Sequence, residues 1–373
     1  MASGGPRRRA KGAGVILTLA LLLSSAACAP SQAPAPSARP GAADPTSSAP
    51  AGAAQAAAPA STAAPPAPTH LRIASTAVAA SMSPLWVAKD TGIYERNGLD
   101  VEIVNLAAGT LAVQGLLAGE LDFAYNVASS LITANLGGAD LVMLAGGVNT
   151  MIFSVAVAPG IERVEDLRGK RLGITRLGTS TDFNARYLLQ RYGLQPEIDV
   201  AFVQLNGNPE ILTGLHAGAI DAGMLSHPTV VQARQQGFRA IVDLGTLGIP
   251  YQHTGVMTTR RYAEANPDVV RAVVRSHVEA IHRFKTDKAA ALDSLARRTQ
   301  VGDPTLLEET HEAYANVYLE RLPYVTVPGM QLDLDALSAT TPVPPGTRVE
   351  NWVDNRFMEE IERSGLIERL YGR

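Results

Sequence analysis

Apolar positions from His70 onward follow two alternating rhythms. Short apolar runs such as Leu71 to Ser75 read as strands, and longer segments with apolar residues three or four apart read as helices. The order strand, Gly/Ser/Thr-rich turn, helix, strand, turn, helix, short strand, helix, strand occurs twice. Ala118-Gly119-Glu120-Leu121-Asp122 returns as Ala217-Gly218-Ala219-Ile220-Asp221, and the segment from Gly138 to Leu144 returns as Gly237 to Leu244, both offset by 99 residues at their start. More loosely, Leu71 to Ser75 and Asn97-Gly98-Leu99 correspond to Arg171 to Thr175 and Tyr192-Gly193-Leu194. Such a period exceeds the roughly 20 to 50 residues of solenoid repeats. Strands alternating with helices predict an α/β fold, with one open, mostly parallel sheet and flanking helices in each copy.

Two further apolar runs, Met151 to Ala158 between the copies and Gly255 to Thr258 after the second, predict two hinge crossings. The expected division is lobe I over residues 70–155 and 255–373, and lobe II over residues 156–254. A long helix opening at Asn266-Pro267 carries Val270, Val274, His277, Ile281 and Phe284 on one stripe, which makes His277 a satisfied core-edge residue rather than a ligand. Helical patterns over Leu306 to Tyr318 and Val353 to Leu370 complete lobe I. Two lobes crossed twice can close around a bound molecule.

Upstream of His70 the pattern breaks. Residues 29–69 contain no Val, Leu, Ile, Met or aromatic residue, and only Arg39 and Asp44 are charged, so this stretch cannot build a core. As a flexible coil its 41 residues span roughly 35 Å, and residues 28–69 read as a disordered tether. Before it, Arg7, Arg8, Arg9 and Lys11 precede an apolar stretch from Val15 to Leu23, then Ser24-Ser25-Ala26-Ala27 and Cys28, the one cysteine of the 373 residues. The apolar core is shorter than the about 20 residues a membrane-spanning helix needs. Residues 1–27 resemble a bacterial lipoprotein signal, with Cys28 as the lipid anchor, although Ser25 stands where Leu is usual. That resemblance implies a protein held on the extracytoplasmic face of the cell membrane. The formal charge is −3, or −7 once the four basic leader residues are removed. No basic stripe with interleaved aromatics suggests nucleic acid, and no intramolecular disulfide can form.

Helix-start signals at Ser83-Pro84, Thr110, Thr181-Asp182 and Asn208-Pro209 each place a capping side chain at the head of an apolar-periodic segment. Strand-to-helix turns of this kind lie at the carboxyl ends of strands, where open α/β sheets bind ligands.

Several strings together resemble the substrate-binding proteins of ABC importers, in the group that includes sulfonate, taurine, nitrate and thiamine-pyrimidine binders. They are Pro84-Leu85-Trp86-Val87-Ala88-Lys89 with Gly92-Ile93-Tyr94, Leu117 to Asp122, and Val164-Glu165-Asp166-Leu167-Arg168-Gly169-Lys170-Arg171-Leu172-Gly173 followed by Gly178-Thr179-Ser180. The likeness runs from Leu71 to about Ala336. It implies a periplasmic-binding-protein-like, type 2 clamp, monomeric, that captures a small-molecule ligand and delivers it to an ABC permease with a cytoplasmic ATPase.

Carried over from that group, the ligand-binding positions are Ser81, Ser83, Gly109, Thr110, Asn126 and Ser129 in lobe I, and Arg176, Thr179, Ser180, Thr181, Ser226 and His227 in lobe II, with Tyr251 as a ring-recognising candidate. Helix N-termini present unpaired N–H groups to an anion, and hydroxyls add adjustable donors and acceptors. Ser83, Thr110 and Thr181 equally fit caps of their own helices. Arg176 is the natural counter-ion for an anion, while Asp182 is expected to face solvent. A flat ring would instead want aromatic faces, for which Trp86, Tyr125, Phe153 and Tyr251 are candidates. The expected ligand is a small anionic or polar organic molecule, with a pyrimidine as the alternative.

Catalysis finds little support. The sole cysteine is committed to lipid, the seven histidines are scattered, and no metal-ligand spacing, phosphate loop or nucleophile elbow occurs, so neither enzyme nor cofactor is expected. A sensor module that passes a liganded conformation to a signalling partner remains open.

Overall fold

The computed structural model describes residues 67–106, 108–338 and 341–372. The leader, Cys28 and residues 29–66 of the tether lie outside the described residues. Among the described residues, no helix is long and apolar enough to cross a membrane.

Among the described residues, ten strands form two five-stranded sheets. The first holds β1 (Thr69–Ser75), β2 (Leu99–Asn105), β3 (Phe123–Val127) and β4 (Leu141–Gly146); the second holds β5 (Ser154–Val157), β6 (Arg171–Ile174), β7 (Ala201–Gln204), β8 (Ala222–Leu225) and β9 (Arg239–Asp243); β10 (Thr254–Thr259) returns to the first. The orders are β2-β1-β3-β10-β4 and β7-β6-β8-β5-β9. Each sheet is parallel at β2-β1-β3 or β7-β6-β8 and takes one antiparallel strand, β10 in the first and β5 in the second. Both sheets are therefore mixed but mostly parallel, as their alternation of strands and helices requires.

Strands buried on both faces explain the near-continuous apolar runs. In the first sheet Leu71, Ile73, Phe123, Tyr125, Val142 and Leu144 pack into one core cluster, and Ala74, Ala124, Leu141 and Met143 pack into another on the opposite face. In the second sheet Leu172, Ile174 and Met224 face one cluster and Ala156 and Leu225 face a second.

The 99-residue repeat has a physical counterpart at the start of each sheet. The Asp122 carboxylate accepts from the Arg72 backbone N–H at 2.8 Å, and the Asp221 carboxylate accepts from the Arg171 N–H at 2.9 Å. The Arg72 and Arg171 guanidiniums donate to the carbonyls of Glu120 and Gly218. The repeated Gly-x-x-Asp string thus ties the turn before β3 to Arg72 in the middle of β1 and the turn before β8 to Arg171 at the start of β6.

The chain passes from β4 to β5 and back from β9 to β10 along two segments bonded to one another. The N–H groups of His253 and Thr254 donate to the Val148 carbonyl, Gly147 N–H donates to the Thr254 carbonyl at 2.7 Å, and Gln252 Nε2 donates to Asn149 Oδ1 at 2.9 Å. After β10 the helix Pro267–Thr286 packs on the helix Ser83–Asp90 beside the first sheet.

His277 on that helix is fully buried rather than at a core edge. Its Nε2 faces the Gly146 carbonyl at 2.7 Å and its Nδ1 faces the Tyr125 hydroxyl. A carbonyl only accepts, so the proton sits on Nε2 and Nδ1 accepts from the tyrosine.

Candidate functional site

The helix-start signals fall slightly inside the helices. Ser83 and Asn208 occupy the first positions of Ser83–Asp90 and Asn208–His216, Thr110 the second of Gly109–Ala118, and Thr181 the second of Ser180–Arg191. The cap positions are Met82, Gly207, Ala108 and Thr179, and none of the four helices has a side-chain cap bond. This corrects the capping expectation, since a capping side chain sits on the residue just before the helix, and the sequence locates that residue only to within a position or two.

A cavity of about 690 Å³ lies at the carboxyl ends of β3 and β6, lined from both halves of the chain. Val127, Ser129 and Ser130 come from the end of β3 and the first turn of the helix Ala128–Leu136. Leu177, Gly178, Thr179, Ser180, Asp182, Phe183 and Arg186 come from the turn after β6 and the helix Ser180–Arg191. Glu197, Tyr251 and the residues Asp333, Ala336 and Leu337 of the helix Val327–Ser338 complete the wall. The volume lies in the range of small-molecule sites.

Of the sequence candidates, Ser129, Thr179, Ser180 and Tyr251 meet at this cavity. The others are placed elsewhere. Ser81 and Ser83 are buried in the first turns after β1, and Ser83 Oγ has no hydrogen-bond partner. Asn126 is fully buried, donates to the Gly109 carbonyl at 3.0 Å and accepts from Val127 N–H at 2.8 Å, locking the head of the helix Gly109–Ala118 onto β3. A Cβ on Gly109 would come within 2.3 Å of Asn126 Oδ1, so only glycine permits this approach. Thr110, beside it, does not line the cavity. Thr181 is buried and takes the Thr175 N–H at 2.9 Å within a cluster of Thr175, Thr179 and Thr181 hydroxyls. Ser226 accepts from Asn208 Nδ2 at 2.8 Å. Arg176 is exposed outside the cavity and its Nε donates to Asn206 Oδ1 at 3.2 Å.

His227 lines a separate pocket of about 350 Å³ with Arg234, Asp243 and Glu309. Burial and the nearby Arg234 hold its imidazole down at about 4. Burial pushes the Asp243 carboxyl upward there, and Tyr318 donates to it at 3.1 Å.

The cavity wall contains residues that sequence reasoning did not reach. Asp182 is buried rather than solvent-facing; it accepts from Gly178 N–H at 2.8 Å and from Arg186 Nε at 2.8 Å. Arg186 also donates to Glu197 at 2.9 Å and lies 5.0 Å from the Phe202 ring centroid. The i,i+4 spacing of Asp182 and Arg186 was a visible signal for that pair. Glu197 has a φ of 64°, an uncommon conformation for a side-chain-bearing residue. Phe183 stacks on Tyr251 with ring centroids 5.4 Å apart and planes 22° apart. Asp333 is only 3% exposed, its Oδ2 has no hydrogen-bond partner, and burial drives its carboxyl well above the usual carboxylate range while Tyr251 acts the other way. Its helix can come so near Tyr251 because residue 329 is glycine; a Cβ there would lie 2.6 Å from Gln252 N. Nothing in the repeat announces Asp333, because its helix follows both copies.

The two-sheet α/β fold is shared with known proteins. The family model described as NMT1/THI5 like matches residues 79–289. A protein of Brucella abortus (strain 2308), provisionally assigned as a binding protein, is 30% identical over 146 residues, which cover 39% of this chain and 44% of the relative, so the chain spans less than half the length of that relative. The solved periplasmic aliphatic sulphonate binding protein SsuA from Escherichia coli has a TM-score of 0.66 and 20% identity, covering 77% of this chain and 97% of its own. The periplasmic nitrate-binding protein NrtA from Synechocystis PCC 6803 has a TM-score of 0.65 and 16% identity, covering 80% of this chain and 89% of its own. The fold is that of periplasmic binding proteins, and by its family match over more than half its length the chain belongs to the NMT1/THI5-like family.

Proposed function

We propose that this protein is an extracytoplasmic solute-binding lipoprotein of the ABC import type, which captures a small polar organic molecule between its two lobes and delivers it to a permease. The observation that carries this reading is the cavity of about 690 Å³ walled by both halves of a twice-crossed α/β chain. A molecule held there contacts both halves, so its binding energy favours the closed arrangement. Binding rather than turnover fits the wall, where hydroxyls, stacked rings and an engaged guanidinium surround the space without a nucleophile set beside a base.

The polar organic version of the ligand gains support and the simple anion loses its counter-ion. Arg176 lies outside the cavity, whereas Phe183 and Tyr251 offer a stacked pair of rings to a flat solute. Cys28 supplies the anchor in this reading, at the head of the residue 28–69 tether.

A thermal-shift panel of sulfonates, nitrate, amino acids, pyrimidines and organic amines tests solute capture. A ligand that binds only the folded clamp raises the melting temperature in proportion to the logarithm of its concentration above Kd. The expected outcome is a saturable rise with one class; a flat panel counts against solute capture. Membrane fractionation of Cys28→Ser tests the anchor separately, with release to the soluble fraction expected and unchanged retention contradicting it.

A further inference from the structure

We propose that the cavity selects a small organic cation bearing N–H donors, such as a protonated amine or amidine, and that Asp333 is its anchor. This rests on the solute-capture reading above and specifies the charge of the captured molecule.

The first ground is the charge inventory of the wall. Asp182, Glu197 and Asp333 are acidic, and among the described lining residues Arg186 is the one cation. Arg186 is already bonded to both Asp182 and Glu197, so an incoming anion meets no uncommitted cation and a surplus of carboxyl groups.

The second ground is the state of the helix that would otherwise seat an anion. The helix Ser180–Arg191 points its N-terminus at the cavity through Gly178, Thr179 and Ser180. Such an end attracts negative charge. Here Asp182 fills that role from within the chain, taking the Gly178 N–H at 2.8 Å.

The third ground is Asp333. Its side chain stands in the wall almost fully buried, with Oδ2 lacking any hydrogen-bond partner. A buried acceptor left unmade costs free energy that a ligand N–H donor recovers. The groups a cation would meet around it are Tyr251, Asp182, Glu197 and Arg186, of which two are acidic and one cation is already neutralised. The Phe183 and Tyr251 rings add aromatic faces, which attract cations as well as apolar bodies. The raised carboxyl of Asp333 is consistent with an anchor that gives up its proton when a cation arrives.

Calorimetry on the full chain with four probes tests this: benzylamine and benzamidine against benzenesulfonate and nitrate. The cationic probes are expected to bind at least tenfold more tightly than benzenesulfonate, and Asp333→Asn to weaken them tenfold or more. That variant keeps shape and an acceptor oxygen for the Tyr251 hydroxyl while removing a buried ionisable group, so its melting temperature is expected not to fall. Glu197→Gln, a change at an exposed position, provides a second variant and is expected to weaken the cations by a smaller factor. Tighter binding of the anions, no binding of either cation, or cation affinity unchanged in Asp333→Asn overturns the proposal. Binding of an anionic or neutral solute would overturn the charge preference alone and leave solute capture standing, whereas a flat thermal-shift panel would remove the capture reading itself.

Discussion

At the scale of single residues, the side chains that the sequence marks most clearly hold the scaffold. Asn126 and Thr181 spend their hydrogen bonds on backbone and neighbouring hydroxyls, and His277 spends both ring nitrogens inside the core. Burial lowers His277 to about 4, against an ordinary value of about 6.5, and the Gly146 carbonyl opposes that shift only in part. The folded ring stays neutral while the unfolded ring takes up a proton near 6.5. Between those values the unfolded state therefore binds the extra proton, so this residue's contribution to stability falls as the pH drops through that window and levels off below it. Buried His253 contributes in the same direction, and the raised carboxyls of Asp333 and Asp243 contribute in the opposite one. Comparison with His277→Gln isolates the single group. The slope of unfolding free energy against pH between about 4 and 6.5 should become shallower in the variant by up to about 1.4 kcal/mol per pH unit. Denaturant titrations across that range read it, and equal slopes would show that the imidazole titrates normally. What the sequence hid at this scale was orientation: Asp182 was legible as a first-turn acid, yet only the turn geometry at Gly178 decides that it points inward.

At the scale of elements, the doubled pattern of strands and helices was legible because both copies obey the same local rules. The placement of β5 and β10 was not fully legible, because an apolar run is equally compatible with a parallel or an antiparallel neighbour, and only pairing decides. The π-helical turn Tyr314–Tyr318 likewise sits inside a pattern that reads simply as helix. The repeat makes an energetic prediction. Asp122 and Asp221 perform the same tie at positions 99 apart, so Asp122→Ala and Asp221→Ala should each cost about 1.5 to 3 kcal/mol, the range for hydrogen bonds to a charged group. The two sites differ in their further partners, since the exposed Arg171 guanidinium also pairs with Asp221 at 3.0 Å, whereas the Tyr262 hydroxyl bonds to Asp122. The Arg171 hydrogen bond holds the Asp221 carboxyl below the usual value, so the stabilisation is present above about pH 4 and is lost as the pH falls through the lowered folded value. Added salt should therefore soften the Asp221 loss more than the Asp122 loss. Urea unfolding of the two variants at low and high salt gives the comparison, and a cost in only one of them would mean that the repeat is a resemblance of sequence without shared energetics.

At the scale of the molecule, the proposed capture would work through a movement of the two sheets about the paired crossings. Those crossings are short and bonded to one another through Val148, Asn149, Gln252 and Thr254, so they resist separate twisting while allowing a shared bend. In the proposed reading, the wall contributions from Ser129 and Ser130 on one side and Thr179, Ser180 and Phe183 on the other would approach together when a solute bridges them. The chain suits a direct measurement because Cys28 is its sole cysteine. In a Cys28→Ser background, Leu117→Cys and Gln235→Cys place one label on an exposed position beside each sheet, away from the cavity wall. Pulsed electron resonance between nitroxides at these sites should give one distance distribution without solute and another, displaced by more than about 2 Å, at saturation with the solute found by thermal shift. A distribution that stays fixed while calorimetry shows the site filled would mean a preformed pocket. Recognition by a permease would then have to read the solute-bound surface itself rather than the angle between the lobes, because a partner can sense only a difference between the two states.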